Sequence, residues 1–295
     1  MAPHQPPQQD YMVADILDPR LKSDIPSLEH PLFALRAGDK RARKYERGGV
    51  MVEVRPGASG AATVHDQDVW YYCTSQLVEA LNRGRDDVSR IVRFTAYDFL
   101  TATNRPIAGV GYMRLGDALR RLGETRIETN IATDGRRTRA GFGLIDAWQI
   151  VERDHDDRMV AIEVTLPDWL WRSILARDVL TLSRDYFLLR RPLDRRIYAV
   201  ARKHCGAQPK WRVTLTTLRE KSGSTSSLRE FRRLLTATDE LPDYRMVVDD
   251  GGDMVTFYSR APKGTKAQIS DLLVPVDILA WPVDGHVHSH TPSCG

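Results

Sequence analysis

Apolar and polar residues follow two spacings along this chain, and each change from one to the other marks an element. Val50 to Val54 alternates as a strand, and Pro56 to Ala62 is a Gly/Ala/Ser loop. Val69 to Leu81 reads as a helix with Gly84 beyond its end. Arg93-Phe94-Thr95 is extended, and Thr95 caps a short helix from Ala96, with Asp98 completing a capping box. Gly109-Val110-Gly111 predicts a turn. The helix Tyr112 to Leu122 follows, with Leu115, Leu119 and Leu122 on its inner face and Gly123 closing it. Thr125 to Ile131 alternates as a half-buried strand, and beyond the polar turn Thr133 to Gly141 the stretches Phe142 to Val151 and Met159 to Leu166 return as strands.

The same order recurs downstream. Trp169 to Leu189 is a connector of one helix and a short extended piece, and Pro192 suits the first turn of a helix that ends near Cys205-Gly206. Pro209 to Val213 is extended, Leu215 to Ser222 is a short helix, and Gly223 supplies a turn. Ser227-Leu228-Arg229-Glu230 is a capping box opening a helix to about Thr238. Tyr244 to Val248 and Met254 to Tyr258 pair across the acidic turn Asp249 to Asp253. The repeated order predicts an α+β protein of two tandem winged-helix domains, each a helix-turn-helix with a β-hairpin. The expected division is a mobile N-terminal leader and basic arm over 1–49, a first winged helix over 50–168, a second over 169–260, and a tail over 261–295.

Charge sharpens the picture. Between Arg184 and Arg233 fourteen Lys or Arg stand against four Asp or Glu, a local +10 in a chain of net +4. The stretch with the charge is also the one that reads as helix-turn-helix, so a polyanion, duplex DNA, is the inferred partner. A second basic run, Lys40-Arg41-Ala42-Arg43-Lys44 to Arg47, reads as an arm or loop, either solvated or touching phosphate. A hydrophobic content of 42% and six Trp provide for packed cores. No apolar run reaches membrane-span length and no segment reads as a signal peptide, so a cytoplasmic protein without membrane contact is expected. Cys73, Cys205 and Cys294 lie far apart, against a disulfide framework or a structural zinc site.

In the helix after Ser227, Leu228, Phe231, Leu234 and Leu235 share one face, while Arg229, Arg232, Arg233 and Thr236 fall on the other. One face packs and the other is suited to the major groove, where Arg bonds guanine bidentately; Arg232 is the expected base reader. Ser224, Thr225, Ser226 and Ser227 at its start offer hydroxyls and N–H groups to phosphate. An ordinary amphipathic surface helix is the competing reading. Weaker candidates in the first unit are Arg114, Arg120 and Arg121 on the Tyr112 helix, and Arg136, Arg137 and Arg139 at a hairpin tip that either clamps phosphate or is a solvated turn.

The segment Tyr186 to Tyr198, continuing through Arg202-Lys203-His204-Cys205-Gly206, resembles the signature of RepA-type plasmid replication initiators, the replication initiator protein A family of Gram-negative, especially alphaproteobacterial, plasmids. Ile25 to Pro31 with Phe33, and Gly111 to Leu115, resemble it too, so that the likeness spans about 15–260. The resemblance implies binding to repeated origin sites (iterons), opening of the adjacent duplex, and loading of host replication proteins, the replicative helicase and the host initiator. It also implies a homodimer in equilibrium with monomer, the dimer repressing its own promoter. By position, Ser224 to Arg233 would read the iteron, and the first unit would hold backbone and partner subunit. The acidic Asp249 to Asp253 turn argues against a phosphate contact by the second hairpin.

Catalytic readings fare poorly. His286-Val287-His288 matches a pattern of nicking enzymes but sits near the C-terminus between prolines, where a floppy tail or adventitious metal binding with His290 and Cys294 is the simpler account. There is no Walker lysine motif, and His204 beside Cys205 reads as a packed or solvated pair. No catalytic residue, metal or cofactor is expected, and the competing function is a winged-helix transcriptional repressor.

Overall fold

The helix Asp68–Asn82 is mostly apolar and buried on nearly every side: Val69, Trp70, Tyr71, Tyr72, Cys73, Leu77, Val78 and Ala80 are buried, and so are Asp68, Thr74, Ser75 and Gln76. A helix without an exposed face must be covered all round, and the rest of the chain wraps it. The computed structural model describes residues 11–133, 136–137, 139–152, 159–238 and 240–273. In order these form β1 (Met12–Val13), β2 (Lys22–Asp24), α1 (Ile25–Glu29), β3 (Arg43–Arg47), β4 (Val50–Arg55), the apolar helix α2, β5 (Ile91–Phe94), α3 (Ala96–Ala102) and α4 (Gly109–Glu124). There follow β6 (Arg126–Thr129), β7 (Ala132–Thr133), β8 (Arg136–Arg137), β9 (Ala140–Gly143), β10 (Ala147–Glu152), β11 (Met159–Thr165), α5 (Asp168–Leu175) and β12 (Val179–Thr181). The last part is a 3-10 turn (Arg184–Leu188), α6 (Pro192–His204), β13 (Lys210–Thr214), α7 (Leu215–Ser222), α8 (Leu228–Thr236), β14 (Tyr244–Val248), β15 (Met254–Ser259) and α9 (Pro262–Leu273).

One connectivity occurs twice. The run α2-β5-α3-α4-β10-β11 places its strands in the order β5-β11-β10, and α6-β13-α7-α8-β14-β15 places its own in the order β13-β15-β14. In both, the last strand lies between the other two. The first run also carries β1, parallel to β5, and a separate antiparallel sheet β3-β4-β6-β9. Its core centres on Trp70, whose ring meets Phe33 edge-on at 5.3 Å and whose Nε1 donates to Leu144 O at 2.6 Å. The second core gathers Tyr186, Tyr198, Leu218, Phe231, Leu235, Tyr244 and Phe257, and it also takes Tyr71 from α2.

Several expectations need correction. From residue 11 on, the leader is no mobile arm: Met12, Ala14 and Ile16 enter the first core and Leu21 and Leu28 the second. It is held by non-local pairing, β2 against β12 and Ile16 against the side-chain amide of Gln76 at 3.1 and 2.9 Å, which leaves no local periodicity to read. The basic run ends as β3, paired with β4. Gly109-Val110-Gly111 is the first turn of α4, where a Cβ on Gly111 would lie 2.0 Å from Pro106 O; glycine is there for close approach, and Thr125, not Gly123, follows the last helical residue. Phe142 to Val151 is two strands in different sheets, broken where Leu144 and Ile145 turn into the core. The hairpin with the basic tip, β6–β9, therefore belongs to the β3-β4-β6-β9 sheet, while β10–β11 holds the place that β14–β15 holds in the second run. The tail begins as a helix, α9, tied to β13 and β15 through Asp271, which accepts from Lys210 at 2.6 Å and from Tyr258 at 2.8 Å. The tail beyond Leu273, with its His-rich end, lies outside the described residues.

The two cores are tied by adjacent arginines of α6. Buried Arg195 donates to both carboxylate oxygens of buried Asp68, in the first turn of α2, at 2.7 and 2.8 Å, and Arg105 reaches the same group at 2.7 Å. Arg196 donates to Ser27 O (2.9 Å), Leu28 O (3.0 Å), Glu29 O (2.9 Å) and Lys221 O (2.7 Å). These carbonyls close α1 and α7, so the negative ends of two helices converge on one guanidinium. Burial pulls its pKa down to about 10, yet it stays charged near neutrality.

Replacing Arg196 with Leu strands those carbonyls in a buried site and is expected to cost about 3–5 kcal/mol, read as a lower urea midpoint; an unchanged midpoint would mean the contacts contribute nothing net. A second expectation concerns acid. Burial, with nearby cations, holds His30, His65 and His204 at about 4 against an ordinary 6.5, and burial lifts Asp24 to about 6. Between pH 6.5 and 4 the unfolded chain takes up three histidine protons that the native state refuses, while Asp24 offsets one. Stability should fall as pH drops through this window. Urea midpoints at stepped pH check it, and a flat profile from 6.5 to 4.5 would contradict it.

Candidate nucleic-acid interface

α8 is set by its two neighbours. The short α7 ends at Gly223, which takes a left-handed φ of 71°, and a Cβ there would lie 2.8 Å from Pro31 Cβ and 3.2 Å from the Tyr45 hydroxyl. Glycine thus permits both the turn and the close approach of β3. Ser227 Oγ accepts from Glu230 N at 3.3 Å, forming one half of the capping box; the Glu230 carboxylate turns to Arg233 at 2.7 and 2.8 Å instead of back to the cap. Phe231 and Leu235 are buried, Leu228 and Leu234 pack on the same core, and Arg229, Arg233 and Thr236 are exposed on the other face. The apolar–basic division read from the sequence is present.

Arg232 is the exception on that face. Its guanidinium donates to Asp249 O at 2.8 Å and to Gly252 O, fastening the acidic turn between β14 and β15 to α8. A side chain holding two carbonyls is not free to read a base, so the expected base-reading role of Arg232 is replaced by a structural one. Arg229 has no hydrogen bond or ion pair among the described residues, and the exposed Arg233 is held only by the surface Glu230 pair.

The first-unit candidates fall in two other places. Arg121 is committed to buried Asp66 through paired bonds at 2.8 Å, and Arg120 bonds Asp117 at 2.8 Å. Arg114 and Arg121 line a cleft of about 950 Å³ between the two cores, together with Arg105, Arg190 and Arg195. Arg136 and Arg137 form β8, paired with β7 at the hairpin tip, and Arg139 bonds Glu128 at 2.7 Å. The structure does not gather these arginines with α8.

Burial also shrinks the charge that pointed here. Arg195 and Arg196 lie inside, Arg191 and Arg202 donate to backbone carbonyls, and Lys203 and Lys221 reach Glu29 at 2.8 and 3.3 Å. Burial pushes the Glu29 carboxyl up, but the two lysines outweigh it and hold it at about 2. What sequence reasoning missed is a small cleft of about 220 Å³ that joins Ser224, Thr225 and Ser226 to Arg36, Arg41, Arg43 and Arg191. Its one sequence signal was the basic run before β4. Among the described residues no group of three or more His, Cys, Asp or Glu is placed to hold a metal. His204 stacks on Trp211 at 4.7 Å beside buried Cys205, the packed arrangement. No helix among the described residues is long and apolar enough to cross a membrane.

Arg232→Ala is expected to loosen the β14–β15 turn and cost about 1–2 kcal/mol, whereas Arg229→Ala should leave thermal unfolding unchanged. Melting both variants distinguishes the roles; equal melts would detach Arg232 from the turn.

The comparisons with known proteins bear on the fold and the family. Domains 2 and 3 of RctB, in a crystal structure of residues 155–483, superpose with a TM-score of 0.52 over 82% of this chain and 99% of that one, at 11% identity. A second crystal structure of the same domains gives 0.53 over 78% and 94%, also at 11% identity. At this identity the likeness speaks for the fold. In sequence, a protein of Wigglesworthia glossinidia brevipalpis described as "Putative replication protein" is 38% identical over 255 residues, 85% of this chain and 93% of the relative. The profile of replication initiator protein A matches residues 22–246, and the chain belongs to that family.

Proposed function

We propose that this chain starts replication by binding duplex origin DNA, with α8 entering the major groove and no catalytic step of its own. The observation that carries the reading is α8 itself: nine residues, its apolar face locked by Phe231 and Leu235, its other face offering Arg229, Arg233 and Thr236. A recognition element needs this division, because a base-reading side chain discriminates only when its backbone is fixed. In this reading both repeated helix–hairpin runs are winged helices, and exposed Arg114 of α4 and the basic β7–β8 tip contact backbone. The sites are iterons, the strain on origin DNA is offset by added contacts, and host helicase and initiator are recruited. A dimer in exchange with monomer represses the promoter.

Binding should weaken steeply with salt, log K falling by about 0.9 per neutralised phosphate for each unit of log salt. Arg229→Ala should cost about 1–3 kcal/mol at cognate sites and little on random duplex. The deciding experiment is a nuclease footprint of the full chain on DNA flanking its gene. Direct repeats protected in helical phase beside an A·T-rich stretch support an initiator, and one inverted repeat over a promoter supports a repressor instead.

A further inference from the structure

Arg43 begins β3, and its side chain is 8% exposed. Its Nε and Nη2 are buried and have no hydrogen-bond partner among the described residues. The two other arginines buried as whole residues among the described ones are satisfied: Arg195 by Asp68, Arg196 by helix-end carbonyls. A guanidinium that is taken out of water and left without an acceptor is costly, and a site that keeps one is arranged for an acceptor from outside. Arg43 lines the small cleft between β3 and the turn before α8.

The polar wall of that cleft is basic and hydroxylic, set beside apolar Leu35, Pro192, Leu193 and Leu234. Arg36, Arg41, Arg43 and Arg191 converge with Ser224, Thr225 and Ser226, and the sole carboxylate is Asp39. Asp39 is spent on Arg41, which it bonds at 3.0 and 3.2 Å, and that bond first, with Arg43 adding to it, holds its carboxyl below the ordinary range. Exposed Arg36 stands close enough for its charge to act on Glu230 of α8. Arg191 is spent on α8, donating to Leu234 O at 3.3 Å and to Ala237 O, so the guanidiniums left for a ligand are those of Arg36 and Arg43. On the opposite wall Ser224 Oγ accepts from Ser226 N at 3.3 Å and has its own proton to give, while Thr225 is exposed. Guanidiniums with hydroxyl donors at the start of a helix fit a tetrahedral oxyanion, and about 220 Å³ has room for one.

We propose that this cleft is a phosphate-binding site built around Arg43. The phosphate is either a phosphodiester of the duplex that α8 holds or a free phosphate ion. In the first case the site, resting on the reading of α8 given above, clamps DNA between β3 of the first core and α8 of the second. Bound phosphate would then be shared by both halves of the molecule.

The test uses the full chain, wild type and Arg43→Gln, with Arg36→Ala as a second variant on an exposed side chain. Thermal unfolding is followed against inorganic phosphate at constant ionic strength, and affinity for duplexes tiled across the DNA flanking the gene is followed against salt. Because the buried Nε and Nη2 of Arg43 have no hydrogen bond to lose, Arg43→Gln should melt at or above the wild-type temperature. Affinity should drop about 10-fold and the salt slope shrink by about 1, with Arg36→Ala moving the same way. Stabilisation of wild type by millimolar phosphate, absent in Arg43→Gln, without any change in DNA binding would assign the site to the free ion. Unchanged slope and no phosphate response overturn the site while leaving α8 as the DNA reader. No duplex binding by wild type, with an Arg43-dependent phosphate response, overturns the reading of α8 and keeps the site. If Arg43→Gln does not fold, Arg36→Ala decides by the same two readouts.

Discussion

The rest of the structure depends on one buried cation. Arg196 sits where α1 and α7 both end, and those ends carry carbonyls that no helix of their own can satisfy. An aliphatic side chain would leave them bare, a neutral amide has too few donors for four carbonyls, and a carboxylate would repel them. The guanidinium meets them with donors in a rigid fork. Its neighbour Arg195 does the complementary task, meeting Asp68, where α2 presents its positive end. Two successive residues of α6 thus hold the N-terminal segment, α2 and α7 in one arrangement, and the position of α8 follows from that of α7.

Features with a local cause were legible in the sequence. The Thr95 and Ser227 caps, Pro192 at a helix start, the left-handed Gly223 and the β14–β15 hairpin all appear where a few adjacent residues demand them. What was not legible rests on distant partners. β1 and β2 are too short to show alternation and exist because β5 and β12 receive them. β3 looked like a charged loop because only Arg43 and Tyr45 face inward in a run of cations. The stretch Phe142 to Val151 kept its apolar count across a break that only the buried Leu144 and Ile145 explain.

The candidate site shows the same limit in terms of charge. Sequence counts every arginine alike, whereas the fold gives each a different environment. Among the basic residues around α6, some are dissolved in the core, some hold helix ends, and a few on α8 remain for solvent. The division of α8 into two faces was readable because it is periodic. That Arg232 would serve the hairpin turn was not, because its acceptors, Asp249 O and Gly252 O, are main-chain atoms seventeen and twenty residues away.

α2 has a bearing on how the molecule came to be built. It gives Trp70 and Cys73 to one core and Tyr71 to the other, and Tyr71 meets Tyr186 edge-on at 5.2 Å. Two copies of a single connectivity ordinarily behave as beads that evolution can separate, exchange or lengthen at the linker. Here the first copy's leading helix supplies part of the interior of the second, so the second copy alone would leave Tyr186 without its Tyr71 neighbour. The repeat is one of topology, with the two interiors joined through α2.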